Sequence, residues 1–422
     1  MTLLLITLLV GLVLGLPIFL ALAAASLVVA WAVLALPPTF ILHRMLESVH
    51  SYPLAAIPLF LLGGDLLTAG GYTRKLMDLA QSVGSRLGFG LPSVTVLVAF
   101  FLSGLTGAAV AEASALGGVL LPALDRSGVP KARSAALISV ASTLGPIVPP
   151  SIPLILFGIL AHVSIIELFW AGLVPGILTT LGLLVLARRL EAKTTESARP
   201  RDPAPWKQIW LQGIQTALPP TLVLGSMLGG LLTITEAAAG FVVLGGWFWA
   251  RNPDRPPLSP ILVKTALASA QVLIIIAGAS ALSYALTMLG FARNVQNLLT
   301  VWELGPLGFL ILLNLVLLGI GTFLETTAAL YLVVPVIVPL ALALGVDPVH
   351  LGILTVFNLV LGMVTPPFGI SLFVTSTIAG LEPRQVFERV WPFFFVGLAV
   401  LALILVFPDL CLFLPRLMIR GG

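Results

Sequence analysis

Two proline pairs interrupt long apolar stretches of this chain, in Gly145-Pro-Ile-Val-Pro-Pro-Ser151 and in Gly362-Met-Val-Thr-Pro-Pro-Phe-Gly369. Each stretch reads Gly-x-x-x-Pro-Pro, and the two lie 217 positions apart (362 − 145 = 217). Proline lacks a backbone donor and clashes with the preceding turn, so each pair breaks a helix. Lipid cannot satisfy the freed backbone groups, and such breaks are tolerated only inside protein or beside a water-filled cavity. The pattern predicts two broken helices at matching places in the chain.

The composition predicts an integral membrane protein. Hydrophobic residues make up 59% of the chain and charged residues 9%, whereas about 25% charged residues is usual in soluble domains. Met1–Leu34 carries no basic residue, which a signal peptide requires, so this stretch is predicted to be a retained membrane helix. The single cysteine, Cys411, excludes an internal disulfide and cysteine-based metal sites. No dense basic patch of the kind that binds nucleic acid is present.

Apolar segments follow one another along the whole chain. They are predicted at 2–14, 17–34, 48–69, 91–124, 134–160, 168–187, 216–233, 236–250, 265–289, 305–342, 350–378 and 391–414. Segments 91–124 and 305–342 are long, yet small and polar residues interrupt each midway, and each half is judged too short to cross a bilayer. We therefore expect two re-entrant helical hairpins, each entering and leaving on one membrane face.

The offset of 217 positions extends beyond the proline pairs. Without gaps, it also aligns Gly88 with Gly305, Gly104 with Gly321, Pro122 with Pro339, Gly128 with Gly345, and Pro175 with Pro392. Ordered coincidences of this kind indicate an internal repeat. The chain is predicted to contain a first repeat at 1–190, a cytoplasmic linker at 191–214 and a second repeat at 215–422.

Basic residues indicate how the two repeats are oriented. Six of them flank the first hairpin, namely Arg74, Lys75, Arg86, Arg126, Lys131 and Arg133. The flanks of the second hairpin, 301–306 and 343–349, carry none. Because short cytoplasmic loops are enriched in Lys and Arg, the first hairpin should open to the cytoplasm and the second to the outside. The predicted fold is therefore all-α, with two inverted repeats that each contain a re-entrant hairpin and a broken transmembrane helix.

Four carboxylates lie within or at the edge of apolar segments: Asp65, Glu112, Glu236 and Glu325. An ionisable group in a membrane is costly, so each is a functional candidate by default. A structural role is favoured for Asp65 and for Glu236, which lies in a turn where Thr235 could cap the next helix. Glu112 and Glu325 flank the hairpin tips, where a functional and a structural role stay equally open.

The hairpin tips and the breaks together suit a small hard cation and an anionic solute. Broken membrane helices bind cations through unwound carbonyls, and their half-helix N-termini attract anions. The predicted cation ligands are Ser103, Gly104, Thr106, Gly107, Gly145, Gly321, Thr322, Glu325, Gly362, Thr365 and Pro366. The predicted substrate contacts are Ser142, Thr143, Pro149, Pro150, Ser151, Thr326, Asn358 and Gly369. The alternative is that small residues at these places only allow close helix packing.

Motifs for enzymatic chemistry are missing from the sequence. The four histidines, His43, His50, His162 and His350, have no metal-ligand spacing, and no catalytic or nucleotide-binding motif occurs. We therefore expect no enzyme and no bound cofactor. Uphill transport would have to use an ion gradient or a partner.

The ordered motifs resemble the large membrane subunit, the DctM-like or M subunit, of tripartite ATP-independent periplasmic (TRAP) transporters. The resemblance covers nearly the whole chain. It rests on 57–60 and 64–67, Phe101-Leu-Ser-Gly-Leu-Thr-Gly107, Ser142 through Pro153, Thr235-Glu-Ala-Ala-Ala239, Gly345-Val-Asp-Pro-Val-His350, and Asn358 through Gly369 with its continuation to Gly380.

The resemblance implies a multi-pass subunit of the bacterial inner membrane, with the elevator fold of the ion-transporter superfamily. It implies Na⁺ coupling, a separate small four-helix membrane subunit (Q type) and a periplasmic substrate-binding protein (P type). The implied substrates are small carboxylates: dicarboxylates, sialic acids and sugar acids. Glu325 departs from the family, which usually has Asp there, and Ala108-Ala109 makes the first tip less polar than in many members.

Two other functions compete with a binding-protein-dependent importer. One is a stand-alone sodium:dicarboxylate symporter of the same superfamily, which would transport without a binding protein. The other is an intramembrane enzyme or a channel. An enzyme is disfavoured because no acid–base or nucleophile constellation is present, and a channel would conduct without coupling to Na⁺.

Overall fold

The computed structural model describes residues 2–50, 52–191, 206–291 and 305–418, and the regular elements in these ranges are helices. Two of them are 3₁₀-helices, Tyr52–Ala55 and Ser142–Leu144. The α-helices are α1 Thr2–Val13, α2 Ile18–Ala32, α3 Pro38–Val49, α4 Ala56–Ala69, α5 Tyr72–Leu87, α6 Leu91–Thr106, α7 Ala109–Arg126, α8 Lys131–Ala141, α9 Ile152–Ala161, α10 Ile165–Glu191, α11 Trp206–Leu228, α12 Ile234–Arg251, α13 Leu258–Met288, α14 Pro306–Phe323, α15 Thr326–Ala343, α16 Pro348–Gly362, α17 Ile370–Ala379, α18 Pro383–Val406 and α19 Asp409–Met418.

Among the described residues, five helices are long and apolar enough to cross a membrane: α10, α13, α14, α15 and α18. Helices α3 and α4, bent by 62° at the 3₁₀-helix between them, would make a sixth span if taken together. The all-helical membrane fold predicted from the sequence is therefore confirmed. Where a span was predicted at 48–69, the structure has the shorter helix α4, Ala56–Ala69. The first residues of the predicted span belong to the end of the amphipathic helix α3.

Two helix pairs form hairpins at the predicted places. In the first hairpin, α6 ends at Thr106 and α7 begins at Ala109, with Gly107 in the left-handed conformation (φ 57°) at the tip. In the second hairpin, α14 ends at Phe323 and α15 begins at Thr326. The expectation that every half is too short to span is wrong for the second hairpin. Both of its helices have 18 residues, because Gly319, Gly321 and Thr322 continue α14 instead of ending it.

The two proline pairs lie between helices, as predicted. The first break, defined here as residues 145–151, separates α8 and its 3₁₀ extension from the ten-residue α9. The second break, defined as residues 363–369, separates α16 from the ten-residue α17. Ten residues of helix span only about 15 Å, half of a bilayer core. Both proline–proline peptide bonds are cis.

The hairpins and the broken helices pack into one body. Helix α7 packs against α8 and α17, and α15 packs against α9 and α16, so each hairpin contacts halves of both broken helices. A hydrogen bond of 2.5 Å between the hydroxyls of Ser139 and Thr375 joins the two broken helices directly. A second group of helices, α1 to α4 with α12 and α13, packs mainly among itself.

Three details of the sequence analysis need correction. The predicted linker 191–214 is helical from Trp206 onward, where α11 begins, and its residues 192–205 lie outside the described part of the chain. The predicted segment 391–414 is two helices, α18 and α19, since the chain leaves the helical conformation at Phe407 before Pro408. Thr233, and not Thr235, caps α12 and forms a capping box with Glu236.

Candidate functional site

The first hairpin tip lies directly on the first break. A Cβ atom built on Gly104 would lie 3.0 Å from the carbonyl oxygen of Pro149, and one built on Gly107 would lie 3.0 Å from the backbone nitrogen of Ile152. Glycine is therefore required for the two backbones to approach this closely. Ser103 is buried beside them and donates to the Phe100 carbonyl at 2.5 Å. The Thr106 side chain lies outside the described part of the structure.

The hydroxyls at the first break point their protons back into helix α8. Ser142 donates to the Ser139 carbonyl at 2.7 Å, and Thr143 donates to the Val140 carbonyl at 2.6 Å. Because each proton is already used, the oxygen lone pairs are the part of these groups that can meet a ligand. Ser151 caps α9 by accepting from Leu154 N at 3.2 Å, and its own proton goes to the Pro146 carbonyl. Residues 142–151 are all buried.

The second hairpin tip meets the second broken helix in the same manner. A Cβ atom built on Gly362 would lie 2.5 Å from the carbonyl carbon of Gly321. Thr365 donates to the Leu361 carbonyl at 2.9 Å and Thr322 donates to the Gly319 carbonyl, so both hydroxyls again present lone pairs. Thr326 donates to the sulfur of Met363 at 3.0 Å.

The two breaks differ in exposure. The first break is buried throughout, whereas Pro366 at the second break is half-buried and Pro367 is exposed. Phe368 is 50% exposed and its ring lies 4.8 Å from that of Phe323, which is 62% exposed at the second tip. Gly369 is buried and leads into α17 without a side chain that could cap it.

The sequence analysis missed the partner of Asn358. The Asn358 amide donates to the side-chain oxygen of Asn314 at 2.6 Å and to the Asn314 carbonyl at 2.9 Å, which ties α16 to α14. Asn314 is the one amide side chain in the apolar helix α14, and Ser139 lies in the apolar second half of α8. Their polarity could have indicated a pairing, because a polar side chain in an apolar membrane helix usually pairs with another polar group.

The four membrane carboxylates have different surroundings. Asp65 pairs with Lys264 at 2.6 Å, and Glu236 belongs to the capping box of α12, so the structural roles expected for both are supported. Glu325 caps α15 by accepting from the backbone nitrogens of Thr327 and Ala328. Glu112 is fully buried, and neither of its carboxyl oxygens has a hydrogen-bond partner among the described residues.

Besides a cavity of about 510 Å³ at Ala115 and Val119 of α7, two cavities adjoin the body of hairpins and broken helices. The larger, about 750 Å³, lies between α3 and α13 on one side and α9 on the other, and includes Arg44, His50, His162 and Tyr284 in its lining. The smaller, about 480 Å³, is mainly apolar and touches Gly104 and Pro149. Of the predicted substrate contacts, Pro149 lines the smaller cavity. The described lining of the larger one contains none of them.

The arrangement can bind a small cation through oxygen atoms. Within the described ranges, no cluster of three or more His, Cys, Asp or Glu side chains forms. The atoms at the two tips that could coordinate a cation are hydroxyl and backbone carbonyl oxygens. Such oxygen ligands suit an alkali cation better than a transition metal.

Comparisons with known proteins agree with this architecture. Residues 5–410 match the family described as tripartite ATP-independent periplasmic transporter, DctM component. The C4-dicarboxylate TRAP transporter large permease protein DctM of Pseudomonas aeruginosa is 32% identical, with 88% of each chain covered. The isethionate TRAP transporter permease protein DctMQ of Oleidesulfovibrio alaskensis is 33% identical over 95% of this chain. The chain spans 64% of that relative's length.

A solved structure has a similar fold. The YdaH transporter of Alcanivorax borkumensis superposes with a TM-score of 0.63 over 87% of each chain, at 14% sequence identity. The family is one of transport subunits in the bacterial inner membrane and not of enzymes. The resemblance stated from the motifs is therefore confirmed: this chain is a multi-pass membrane protein that belongs to the DctM family of TRAP transporter large permeases.

Proposed function

We propose that this chain is the transport subunit of a Na⁺-coupled, binding-protein-dependent importer of small organic anions. The observation that carries the proposal is the meeting of two glycine-tipped hairpins with two broken helices at positions 217 residues apart. The proposal assigns the cation to the hairpin tips and the anion to the polar residues of the two breaks.

Na⁺ fits the donors at the tips. The hydroxyls of Ser103, Thr322 and Thr365 donate into their own helices and keep their lone pairs for a cation. Unwound backbone at both breaks adds carbonyl oxygens, the usual ligands of coupling ions in transporters with broken helices.

An organic anion fits the opposite ends of the breaks. Helices α9 and α17 begin there, and helix N-termini attract negative charge. The cavity of about 750 Å³ has the volume of a small-molecule site and is lined by Arg44, but it lies at the C-terminal end of α9, away from the first break, and is not part of the proposed anion site. Relatives named for isethionate and C4-dicarboxylates support an anionic substrate for this chain.

An elevator movement would carry both sites across the membrane. The proposed mobile body is the two hairpins with the two broken helices, and the proposed fixed body is α1 to α4 with α12 and α13. Most contacts of the second group are internal, which supports the division, and the two groups meet where α13 packs against α15 and α4 against α6. Each of the inverted repeats at 1–190 and 215–422 would contribute one hairpin and one broken helix to the mobile body, with the two hairpins opening to opposite membrane faces.

The proposed partners are a small four-helix membrane subunit of Q type and a periplasmic binding protein of P type. The longer DctMQ relative, of which this chain covers 64%, supports association with a Q-type subunit. The test is uptake of radiolabelled carboxylates by liposomes that contain this chain and its small subunit, with an inward Na⁺ gradient and with or without the binding protein.

Uptake that requires both Na⁺ and the binding protein is the expected result. Uptake with Na⁺ alone would instead establish the stand-alone symporter. Flux that ignores the Na⁺ gradient and does not saturate with substrate would establish a channel, and would contradict the proposal.

A further inference from the structure

Glu112 is the exception among the buried carboxylates of this protein. Its side chain is 0% exposed in the first turn of α7, and both carboxyl oxygens are without a hydrogen-bond partner among the described residues. Glu325, the carboxylate at the second hairpin tip, accepts hydrogen bonds from the backbone N–H groups of Thr327 and Ala328 and from the Thr327 hydroxyl. A carboxylate that is buried without a partner is neutralised either by a proton or by a bound cation.

The Glu112 carboxylate lies beside the first break. A Cβ atom built on Gly145 would overlap the Glu112 Oε2 atom and would lie 3.4 Å from the Ser142 carbonyl oxygen. Gly145 follows the last turn of the α8 and 3₁₀ unit, where backbone carbonyls and the negative end of the helix dipole are directed. A carboxylate and a helix C-terminus therefore meet at the first break, and a cation between them would satisfy both.

Among the described elements that pack against α7, none brings a cationic side chain to this place. Helices α6, α8 and α17 and the 3₁₀-helix Ser142–Leu144 pack against α7. Of these elements, only α8 contains ionisable residues, Lys131 and Arg133, and both lie in its first turn, at the opposite end from Ser142. A metal cation that neutralises Glu112 would therefore come from solution.

We propose that Glu112 is the charged ligand of a monovalent-cation site between α7 and the first break, and that this cation is the Na⁺ of the proposed function. The Glu112 carboxylate and the Ser142 carbonyl oxygen would both coordinate the cation, whose single positive charge would neutralise the single negative charge of Glu112. The second tip has no equivalent ligand, since Glu325 is used as a helix cap. The two cation sites are therefore chemically unequal, although the chain folds them from matching elements.

The first test is Na⁺ binding to the purified membrane complex in nanodiscs, followed by thermal unfolding at constant ionic strength with choline as the replacement ion. Without Na⁺, Glu112→Gln should be at least as stable as the wild type, because the uncompensated charge is gone. Na⁺ should stabilise this variant less, and radioactive Na⁺ should bind at the affected site at least about tenfold more weakly.

Asp347→Asn is the matched control, because Asp347 caps α16 at the end remote from the second break. It weakens a helix cap, so it should lower the unfolding temperature by the same amount with and without Na⁺. If Glu112→Gln keeps the wild-type response to Na⁺, or Asp347→Asn removes it, the assignment is overturned. If Glu112→Gln abolishes only a pH dependence seen without Na⁺, the occupant is a proton and the Na⁺ assignment is also overturned.

A second measurement needs no variant. A hydrophobic carbodiimide adds to buried carboxylic acids, and mass spectrometry of the peptide that contains Glu112 reports the extent. Na⁺, but not choline, should protect Glu112, and equal labelling in both salts would overturn the proposal. Na⁺ binding without any organic-anion uptake would remove the proposed function and leave the site intact. Na⁺-driven uptake together with unaltered Na⁺ binding in Glu112→Gln would overturn the Glu112 site and leave the proposed function intact.

Discussion

At both hairpin tips, glycine sets the distance between two backbones. A Cβ atom built on Gly362 would overlap the backbone of Gly321, and one built on Gly321 would lie 2.5 Å from the Leu359 carbonyl oxygen. Gly104 and Gly107 have the same role opposite Pro149 and Ile152. Since carbonyl oxygens can surround a small cation only when the two segments approach, these glycines are part of the binding geometry as well as of the packing.

Replacing Gly362 by alanine should separate the second hairpin from the second broken helix. The added methyl would lie 2.5 Å from the Gly321 carbonyl carbon, and relief of such overlap costs about 1–3 kcal/mol of stability. We expect a lower unfolding temperature and loss of Na⁺-dependent uptake. Gly319→Ala is the matched control, because nothing lies within 4 Å of a Cβ atom there. Equal effects of the two substitutions would contradict the role given to Gly362.

Removing the Thr365 hydroxyl should weaken the second cation site. Thr365→Val keeps the shape of the side chain but removes the oxygen, so the Na⁺ concentration for half-maximal uptake should rise several-fold. The matched control is Thr355→Val, which removes a buried hydroxyl with the same i−4 bond, 2.7 Å to Leu351 O, elsewhere on α16. The sequence analysis makes the same prediction for Thr106 at the first tip. Unchanged Na⁺ dependence in Thr365→Val would exclude this hydroxyl as a ligand.

At the scale of the elements, side chains join helices that are distant in sequence. The Asn314–Asn358 bond fixes α14 to α16, and the Ser139–Thr375 bond fixes α8 to α17. The positions of the breaks were predictable, because proline and glycine act on the backbone locally. The partners of Asn358 and Ser139 were not, because a single sequence does not tell which apolar helix faces which.

The asparagine pair should show strong coupling. Asn314→Leu and Asn358→Leu each leave a buried amide without its partner, at a cost of about 1–3 kcal/mol. The double variant removes both polar groups, so it should lose less stability than the sum of the single variants. Unfolding of the four proteins in the same detergent measures the coupling, and strict additivity would mean that the bond contributes little.

At the scale of the whole molecule, the proposed inverted repeats place the two hairpins on opposite membrane faces. The surrounding charges carry this inference, since the flanks of the first hairpin are basic and those of the second are not. The helical framework is compatible with it. Helices α7 and α15 are equally long, and they end at Arg126 and Ala343, which are 217 positions apart.

Single cysteines at these two helix ends test the orientation. Arg126→Cys and Ala343→Cys, both exposed positions, would be made in a Cys411→Ala background, in which the only native thiol is absent. A membrane-impermeant thiol reagent should label residue 343 in intact spheroplasts and residue 126 only after the membrane is opened. Labelling of both residues from one side would show that the repeats are not inverted.

The sequence by itself determined that the chain lies in a membrane, where two of its helices break, and to which family it belongs. Apolar runs require a membrane, proline pairs interrupt helices wherever they occur, and the ordered motifs span residues 57–380. Only the tertiary structure decided which polar groups are satisfied and which are not. It placed Glu112 beside Gly145 without a partner, gave Glu325 to a helix cap, and paired Asn358 with Asn314. The physical reason is that helix breaking depends on the covalent backbone, whereas compensation of a buried charge depends on which distant segments come into contact.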